Sequence, residues 1–232
     1  MTLGRWILSA GRMALPFLPE PLARNIRGVK RAVLNRRSPE KVFRNIFHNN
    51  AWDGTESVSG PGSTLAATAT IRTHIPSFLA QVGAASLLDI PCGDAFWIGQ
   101  CLPSHIRYTG ADIVPEIVAR NTRQHAATGT FLVRNIVTDA LPKADVALVR
   151  DCFIHLPNAM ILAAIENLRR AGIGYLLTTT FPARASNTDI EIGGFRPVDM
   201  QKPPFNFPAP LAICEDMAEG VANNKQLGLW RL

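Results

Sequence analysis

The chain has 232 residues, of which 47% are hydrophobic and 18% are charged. This mixture is typical of a globular protein and excludes a largely disordered chain. No run of about 18 apolar residues occurs, which argues against a membrane-spanning helix. The four cysteines include no Cys-x-x-Cys pair, so no metal site is expected. The length predicts one domain with a short appendage, and the cysteine usage favours a reducing, cytoplasmic location.

The basic charge is concentrated at the N-terminus. Residues 1–45 contain ten Lys and Arg residues and two acidic ones, a net charge of +8 that leaves −2 for residues 46–232. Apolar residues such as Trp6 and Phe17 lie among these arginines, as in helices that lie at a membrane surface. We predict a basic helical arm over residues 1–45 that contacts the inner membrane, nucleic acid or the main domain.

The first predicted elements are helices. One is expected over residues 22–34, and Ser38-Pro39-Glu40 begins another, because Pro is favoured in a first helical turn. A loop rich in Gly and Ser follows, 52-WDGTESVSGPGS-63, and its length and composition predict a lid. Ser63 or Thr64 is expected to cap a helix that extends to about Val82.

Strands and helices alternate after this loop. Together with a closing pair of strands over residues 211–215 and 225–232, the pattern predicts an α/β fold with a doubly wound, mostly parallel seven-stranded sheet and an antiparallel closing strand. Residues 182–210 form a long irregular stretch, which is usually functional. The other predicted strands cover residues 86–90, 107–113, 130–136, 145–150 and 174–181, and the predicted helices begin near Ala95, at Pro115 and at Asn158.

Polar residues cluster where these strands end. Asp89 lies at the end of the first strand with Gly93 in the turn after it, Asp112 at the end of the second strand and Asn135 at the end of the third. Ligands bind at this edge of an open α/β sheet, and an acid about 20 residues after the first turn suits a pair of ribose hydroxyls. The helix expected after Gly93 would direct its N-terminus at a carboxylate. The fourth strand ends in 150-RDCFIHL-156, which supplies a carboxylate, a thiol and an imidazole.

Five motifs, in order, resemble a bacterial group of class I S-adenosylmethionine-dependent methyltransferases. The resemblance covers about Phe43 to Leu232, and it implies a Rossmann-like methyltransferase fold over residues 46–232 with S-adenosylmethionine as cofactor. The motifs are 52-WDGTESVSGPGS-63, 88-LDIPCGDAFW-97, 110-GADIV-114, 150-RDCFIHL-156 and 227-LGLW-230.

The resemblance also implies roles for single residues. Asp89 and Gly93 would line the methionine end of the cofactor, Asp112 the ribose and Asn135 the adenine edge. The full set of implied cofactor-binding residues is Trp52, Ser57, Ser59, Gly60, Asp89, Pro91, Gly93, Trp97, Asp112, Ile113, Asn135, Ile136 and Arg150.

His155 is the predicted catalytic base, because imidazole accepts a proton near neutral pH. Asp151 would orient His155, bind the acceptor or be the base itself. A hydrogen-bonded core histidine and a structural Arg150–Asp151 ion pair are the alternatives to these catalytic roles. Cys152 fits a small buried residue better than a nucleophile.

The irregular stretch 182–210 supplies the predicted acceptor site. Asn187, Asp189 and Arg196 lie there among aromatic residues, which suits a sugar or a small polar acceptor. We therefore predict O-methylation of a glycan or other small hydroxyl acceptor. Two alternatives stay open: an RNA methyltransferase that uses the basic arm as a clamp, and a non-catalytic membrane- or nucleic-acid-binding protein with a relict fold.

Overall fold

A seven-stranded sheet forms the centre of the computed structural model, which describes residues 38–217 and 224–232. All four residues of its central strand are buried, as expected for a strand that is covered on both faces. The strands are β1 (Ser86–Asp89), β2 (Arg107–Asp112), β3 (Thr130–Val133), β4 (Val146–Val149), β5 (Tyr175–Thr180), β6 (Ala212–Glu215) and β7 (Gln226–Arg231).

The strand order is β3-β2-β1-β4-β5-β7-β6. Strands β1 to β5 pair in parallel, and β7 is antiparallel to both β5 and β6. Leu229 on β7 pairs with Leu177 on one side and Ala212 on the other. The predicted α/β fold, with its mostly parallel sheet and antiparallel closing strand, is confirmed.

Helices cover both faces of the sheet. Leu87 and Leu88 point to opposite faces, since neighbouring strand residues alternate. Helices α2 and α3 pack with Leu87, whereas α4 packs with Leu88. The helices are α1 (Pro39–His48), α2 (Ala69–Gln81), α3 (Pro115–Gln124) and α4 (Asn158–Arg170).

Two local predictions are wrong. The chain after Gly93 forms turns and a short 3-10 helix at Ile98–Gln100 instead of an α-helix that begins near Ala95. The reason is visible at Ala95, whose φ of 51° is incompatible with a right-handed helix. Similarly, α2 begins only at Ala69, and the hydroxyl of Thr64 accepts a hydrogen bond from Ala67 in the preceding turns.

The predicted basic arm lies mostly outside the described residues, as does the predicted helix over 22–34. Residues from Pro39 onward form one compact unit, so α1, which contains the predicted boundary at residue 45, belongs to it. Within the ranges 38–217 and 224–232, no helix is long and apolar enough to cross a membrane.

Candidate active site

A cavity of about 1170 Å³ opens at the carboxyl ends of β1, β2 and β4. The strand order reverses there, since β1 lies between β2 and β4, and this is where open α/β sheets bind ligands. The 52–63 loop and helix α1 also line the cavity. A pocket for one small molecule typically measures about 300–1,000 Å³, so this cavity is large for a small-molecule site.

The floor of the cavity contains what we call the acidic half, formed by Asp89, Gly93, Asp112, Asn135 and Ile136. The Asp112 carboxylate accepts hydrogen bonds from the backbone N–H of Gly93 at 3.2 Å and of Val114 at 2.9 Å. Asp89 accepts one from the hydroxyl of Tyr108 at 2.8 Å. Because these partners are backbone or core groups, both carboxylates are held rigidly at the strand ends.

Both carboxyl groups of the acidic half are buried. Burial raises the pKa of Asp89 to about 7 and that of Asp112 to about 6. Within the described part of the chain, neither carboxylate forms an ion pair. A ligand that supplies positive charge or hydroxyl donors would therefore stabilise their ionised forms.

The 52–63 loop is attached to the first strand turn through Asp94. Ser57 and Ser59 donate their hydroxyl hydrogens to Asp94, at 2.9 and 3.3 Å, and the N–H of Val58 donates at 3.0 Å. Gly93 has a φ of +50°, and a Cβ atom at this position would overlap the hydroxyl of Ser59. Only glycine therefore allows this close contact between the loop and the turn.

A buried ion cluster closes one side of the cavity. Arg150 donates hydrogen bonds to both carboxylate oxygens of Asp216, at 2.7 and 2.9 Å, and to the carbonyl of Gly62 at 2.7 Å. Lys225 lies 2.7 Å from Asp151 and 3.3 Å from Asp216. The two cations balance the two carboxylates, and the cluster connects β4 and the 52–63 loop to the start of β7.

The lining of the cavity also contains what we call the aromatic half, formed by Phe43, Trp52, His155 and Phe195. The rings contact one another in this order, with centroid distances of 6.4, 5.2 and 6.1 Å. Trp52 and His155 are stacked, with an interplanar angle of 27°. The aromatic half therefore forms a continuous surface with an imidazole in its middle.

The His155 ring is also held by a hydrogen bond. Its Nδ1 lies 2.7 Å from the carbonyl oxygen of Gly194, so the neutral ring carries its proton on Nδ1. Burial lowers the pKa of His155, which keeps the ring neutral at pH 7. The lone pair is then on Nε2, and the side chain lines the cavity.

Asp151 lines the cavity and belongs to the ion cluster. Its carboxylate binds Lys225 and Arg150 and accepts a hydrogen bond from Thr179, whereas His155 is held by a backbone carbonyl. Burial alone would raise the pKa of Asp151, but Arg150 and Lys225 lower it to about 2. The negative charge of Asp151 partly offsets the effect of burial, which lowers the pKa of His155, but no hydrogen bond in the described part of the chain links the two side chains, and Gly194 holds the ring.

Comparison with solved structures identifies the fold. Magnesium protoporphyrin IX methyltransferase from Synechocystis, with bound S-adenosylmethionine, aligns at a TM-score of 0.56 and 14% identity over 84% of this chain and 97% of that chain. Burkholderia thailandensis 1,6-didemethyltoxoflavin-N1-methyltransferase, with S-adenosylhomocysteine, aligns at 0.58 and 15% over 84% and 90%. Human N-acetylserotonin methyltransferase, with S-adenosylmethionine, aligns at 0.58 and 13% over 84% and 60%. The chain has a Rossmann-like methyltransferase fold.

The comparisons by sequence give no further relatives. No family model matches the chain, and no curated protein matches it. Within this methyltransferase fold, the site must therefore be interpreted from its own residues.

The structure brings most of the predicted cofactor-binding residues to one cavity. Ser57 is the exception, because it is buried against Asp94 and helps to hold the loop. The guanidinium of Arg150 lines the cavity but belongs to the ion cluster, and it lies 5.5 Å from the ring centre of Trp97. The predicted residues that line the cavity are Trp52, Ser59, Gly60, Asp89, Pro91, Gly93, Trp97, Asp112, Ile113, Asn135, Ile136, Arg150, Asp151 and His155.

The three predicted substrate-binding residues lie outside the cavity lining. Asn187 donates to the backbone carbonyl of Asp199, and Asp189 accepts from the first N–H of α4. Arg196 is buried and donates to the carbonyls of Phe153, Leu156 and Thr188. All three side chains hold the irregular stretch 182–210 in place.

Sequence reasoning missed several functional positions. Helix α1 contributes Phe43, Ile46 and Phe47 to the cavity, although it precedes all five recognised motifs. The amphipathic spacing of these residues could have indicated a covering helix. Asp94 was part of a quoted motif, but its contact with the loop 35 residues earlier has no local signal.

No group of three or more His, Cys, Asp or Glu residues in the described ranges could hold a metal ion. The Cys152 thiol is buried, and burial raises its pKa, which disfavours a nucleophilic thiolate.

Proposed function

We propose that this protein is an S-adenosylmethionine-dependent methyltransferase that methylates a hydroxyl group of a small acceptor. The observation that carries the proposal is that one cavity joins the acidic half to His155 in the aromatic half. Solved structures of the same fold were determined with S-adenosylmethionine or S-adenosylhomocysteine, which supports the choice of cofactor.

The acidic half fits this cofactor. Asp112 presents a buried carboxylate at the end of β2, where it would accept hydrogen bonds from the two ribose hydroxyls. Asp89 lies at the end of β1, where burial raises its pKa to about 7 even though the Tyr108 hydroxyl and the charge of Arg150 lower it, so a further positive charge would stabilise the ionised carboxylate. The ammonium and sulfonium groups of S-adenosylmethionine would supply that charge. Asn135 and Ile136 line the part of the cavity where the adenine would lie.

S-adenosylmethionine supplies, when bound, a methyl group that is already activated on a sulfonium. The protein then has to position the acceptor, exclude water and accept a proton. Nε2 of His155 carries a lone pair at neutral pH, because Nδ1 donates to Gly194 and burial keeps the ring neutral. It would accept the hydroxyl proton, while Trp52 and Phe195 hold the ring in place.

The more specific acceptors predicted from the sequence have less support. The glycan prediction depended on Asn187, Asp189 and Arg196, whose side chains bind the backbone of the protein itself or cap a helix. The RNA and membrane predictions depend on residues 1–45, most of which lie outside the described residues. The glycan, RNA and membrane predictions therefore remain predictions about the acceptor and the partners.

Calorimetric titration with S-adenosylhomocysteine tests the proposal. The wild-type protein is expected to bind with micromolar affinity, and Asp112→Asn to bind about 10- to 100-fold more weakly, because hydrogen bonds to a charged group are lost. Glu166→Gln, which changes an exposed acid on α4, is the matched control and should bind like wild type. A folded wild-type protein that binds neither S-adenosylmethionine nor S-adenosylhomocysteine would overturn the proposal.

A further inference from the structure

The aromatic half of the cavity has features that narrow the class of acceptor. Its four rings form an unbroken series of contacts, from Phe43 on α1 through Trp52 and His155 to Phe195. Phe195 is 64% exposed, so it lies at the outer end of this series. Such a surface binds a flat apolar ring through stacking and edge contacts.

Three apolar residues close to these rings in the sequence also line the cavity. Phe47 lies one turn after Phe43, Leu156 follows His155, and Pro197 lies two residues after Phe195; all three line the cavity. The nearby Asp151 and Lys225 bind each other at 2.7 Å and also bind Arg150 and Asp216 in the ion cluster. A sugar ring would leave several hydroxyls without partners against this surface, and each such buried group is unfavourable.

The base also favours an acidic hydroxyl. A phenolic hydroxyl has a pKa near 10, whereas water has one near 15.7, and aliphatic hydroxyls resemble water in this respect. Burial lowers the pKa of His155, so it is a weak base. Proton transfer to Nε2 is therefore much less unfavourable from a phenol than from a sugar.

We propose that the acceptor is a flat, hydroxylated aromatic compound that lies along the aromatic half with its hydroxyl group at Nε2 of His155, and that Phe195 determines this preference. The inference rests on the proposed methyltransferase function. In the reaction, the bond between the phenolic oxygen and the methyl carbon forms as the bond between sulfur and that carbon breaks. The phenolic proton moves to Nε2, and the sulfonium becomes a neutral thioether.

The test measures binding of two probes to protein saturated with S-adenosylhomocysteine. The probes are 2-naphthol and methyl β-D-glucopyranoside, titrated by calorimetry. Wild type and Phe195→Tyr are expected to bind 2-naphthol, and Phe195→Ala to bind it at least fivefold more weakly. Leu162→Ala removes an exposed apolar side chain outside the cavity lining and should bind like wild type. With S-adenosylmethionine, wild type is expected to form 2-methoxynaphthalene.

Two results would overturn the inference. One is binding of the glucoside as tight as, or tighter than, that of 2-naphthol. The other is an affinity for 2-naphthol that is absent, or that Phe195→Ala leaves unchanged. Since S-adenosylhomocysteine binding is measured first in every variant, its loss in wild type identifies a failure of the proposed function, whereas its retention assigns the failure to the acceptor class.

Discussion

The two halves of the cavity are built in different ways. In the acidic half, Asp89 and Asp112 stand at the ends of adjacent strands, where Tyr108 holds Asp89 and the backbone N–H groups of Gly93 and Val114 hold Asp112. In the aromatic half, Phe43, Trp52, His155 and Phe195 come from α1, the 52–63 loop, the segment after β4 and the irregular stretch 182–210. The acidic half is therefore a property of the sheet, and the aromatic half is a property of its coverings.

This difference has a consequence for specificity. Residues at the strand ends tolerate only replacements of similar size and shape without disturbing the sheet, because Asp112 and Asp89 are buried among core groups. The coverings can change independently, since Phe195 is exposed and packs mainly on other residues of the cavity. We expect substitutions in the acidic half to change the affinity for the cofactor and substitutions in the aromatic half to change kcat or the affinity for the acceptor.

The largest effect is expected from His155→Ala. Loss of a general base should lower kcat about 10²- to 10⁴-fold, measured with the acceptor that wild type methylates fastest. Binding of S-adenosylhomocysteine should change less than twofold, because the acidic half is intact. In wild type, kcat should rise with pH to a plateau, with a midpoint below 6.5, since burial lowers the pKa of His155.

The control for this variant is His105→Ala, which changes an exposed histidine outside the cavity. It should retain wild-type kcat and the same pH profile. Equal loss of kcat and of S-adenosylhomocysteine affinity in His155→Ala would contradict the separation of the two halves.

A substitution in the ion cluster should lower the stability of the whole protein and not only change one half of the cavity. Arg150→Met leaves Asp216 and Asp151 buried with fewer partners, so the free energy of unfolding should fall by about 3–5 kcal/mol in urea titrations. Arg169→Met removes an exposed arginine and should cost little. Equal stability of the two variants would show that the cluster does not support the cavity.

The pH of the solution should change the charge of the two carboxyl groups in the acidic half and with it the affinity for S-adenosylmethionine. Since the pKa of Asp89 is about 7 and that of Asp112 about 6, both lose protons between pH 5.5 and 8. S-adenosylmethionine affinity should therefore increase at least tenfold over this range, measured by calorimetry. Asp89→Asn should flatten the part of this dependence near pH 7, and an affinity that is constant or falls with pH would contradict the assignment.

The carboxyl groups of Asp89 and Asp112 also make the free energy of unfolding depend on pH when no ligand is bound. Their folded-state pKa values lie above the ordinary value of 3.8, so the folded protein binds more protons than the unfolded chain between about pH 4 and 7. Their contribution to the free energy of unfolding is largest at low pH and is lost as pH rises through this window. The thermal shift caused by S-adenosylmethionine should accordingly be larger at pH 8 than at pH 5.5.

The smallest effect is expected at the joint between the 52–63 loop and the sheet. Asp94→Asn keeps the size of the side chain but weakens its three hydrogen bonds to residues 57–59. A charge-assisted hydrogen bond is roughly twice as strong as a neutral one. Because the loop is then held less firmly, S-adenosylhomocysteine affinity should fall about three- to tenfold. Asp53→Asn, an exposed change in the same loop, should have no effect.

The regular elements were predictable wherever local pattern determined them. Helix α4 spans Asn158–Arg170 as predicted, because its apolar residues repeat with helical spacing. The strand predicted over 130–136 ends at Val133, since the N–H of Asn135 binds the Asp139 carboxylate instead of a neighbouring strand. The helix expected near Ala95 failed because Asp94 is bound to the distant 52–63 loop.

The acidic half was predictable for the same reason, since Asp89, Asp112 and Asn135 each follow a recognisable strand. Trp52 and His155 of the aromatic half were also predicted, but the packing of α1 and Phe195 beside them was not, because these reach the cavity only through tertiary packing. Asn187 and Arg196 were misleading for a physical reason. A long stretch without helix or strand must satisfy its own backbone groups, and these polar side chains do so.

The most direct measurement is a crystal structure of the protein with S-adenosylhomocysteine. The account predicts that the ribose hydroxyls bind Asp112, that the adenine lies beside Asn135 and Ile136, and that the sulfur faces the aromatic half near His155. A ligand bound outside this cavity, or one whose sulfur is separated from His155 by the 52–63 loop, would contradict the claim that a single cavity joins the two halves.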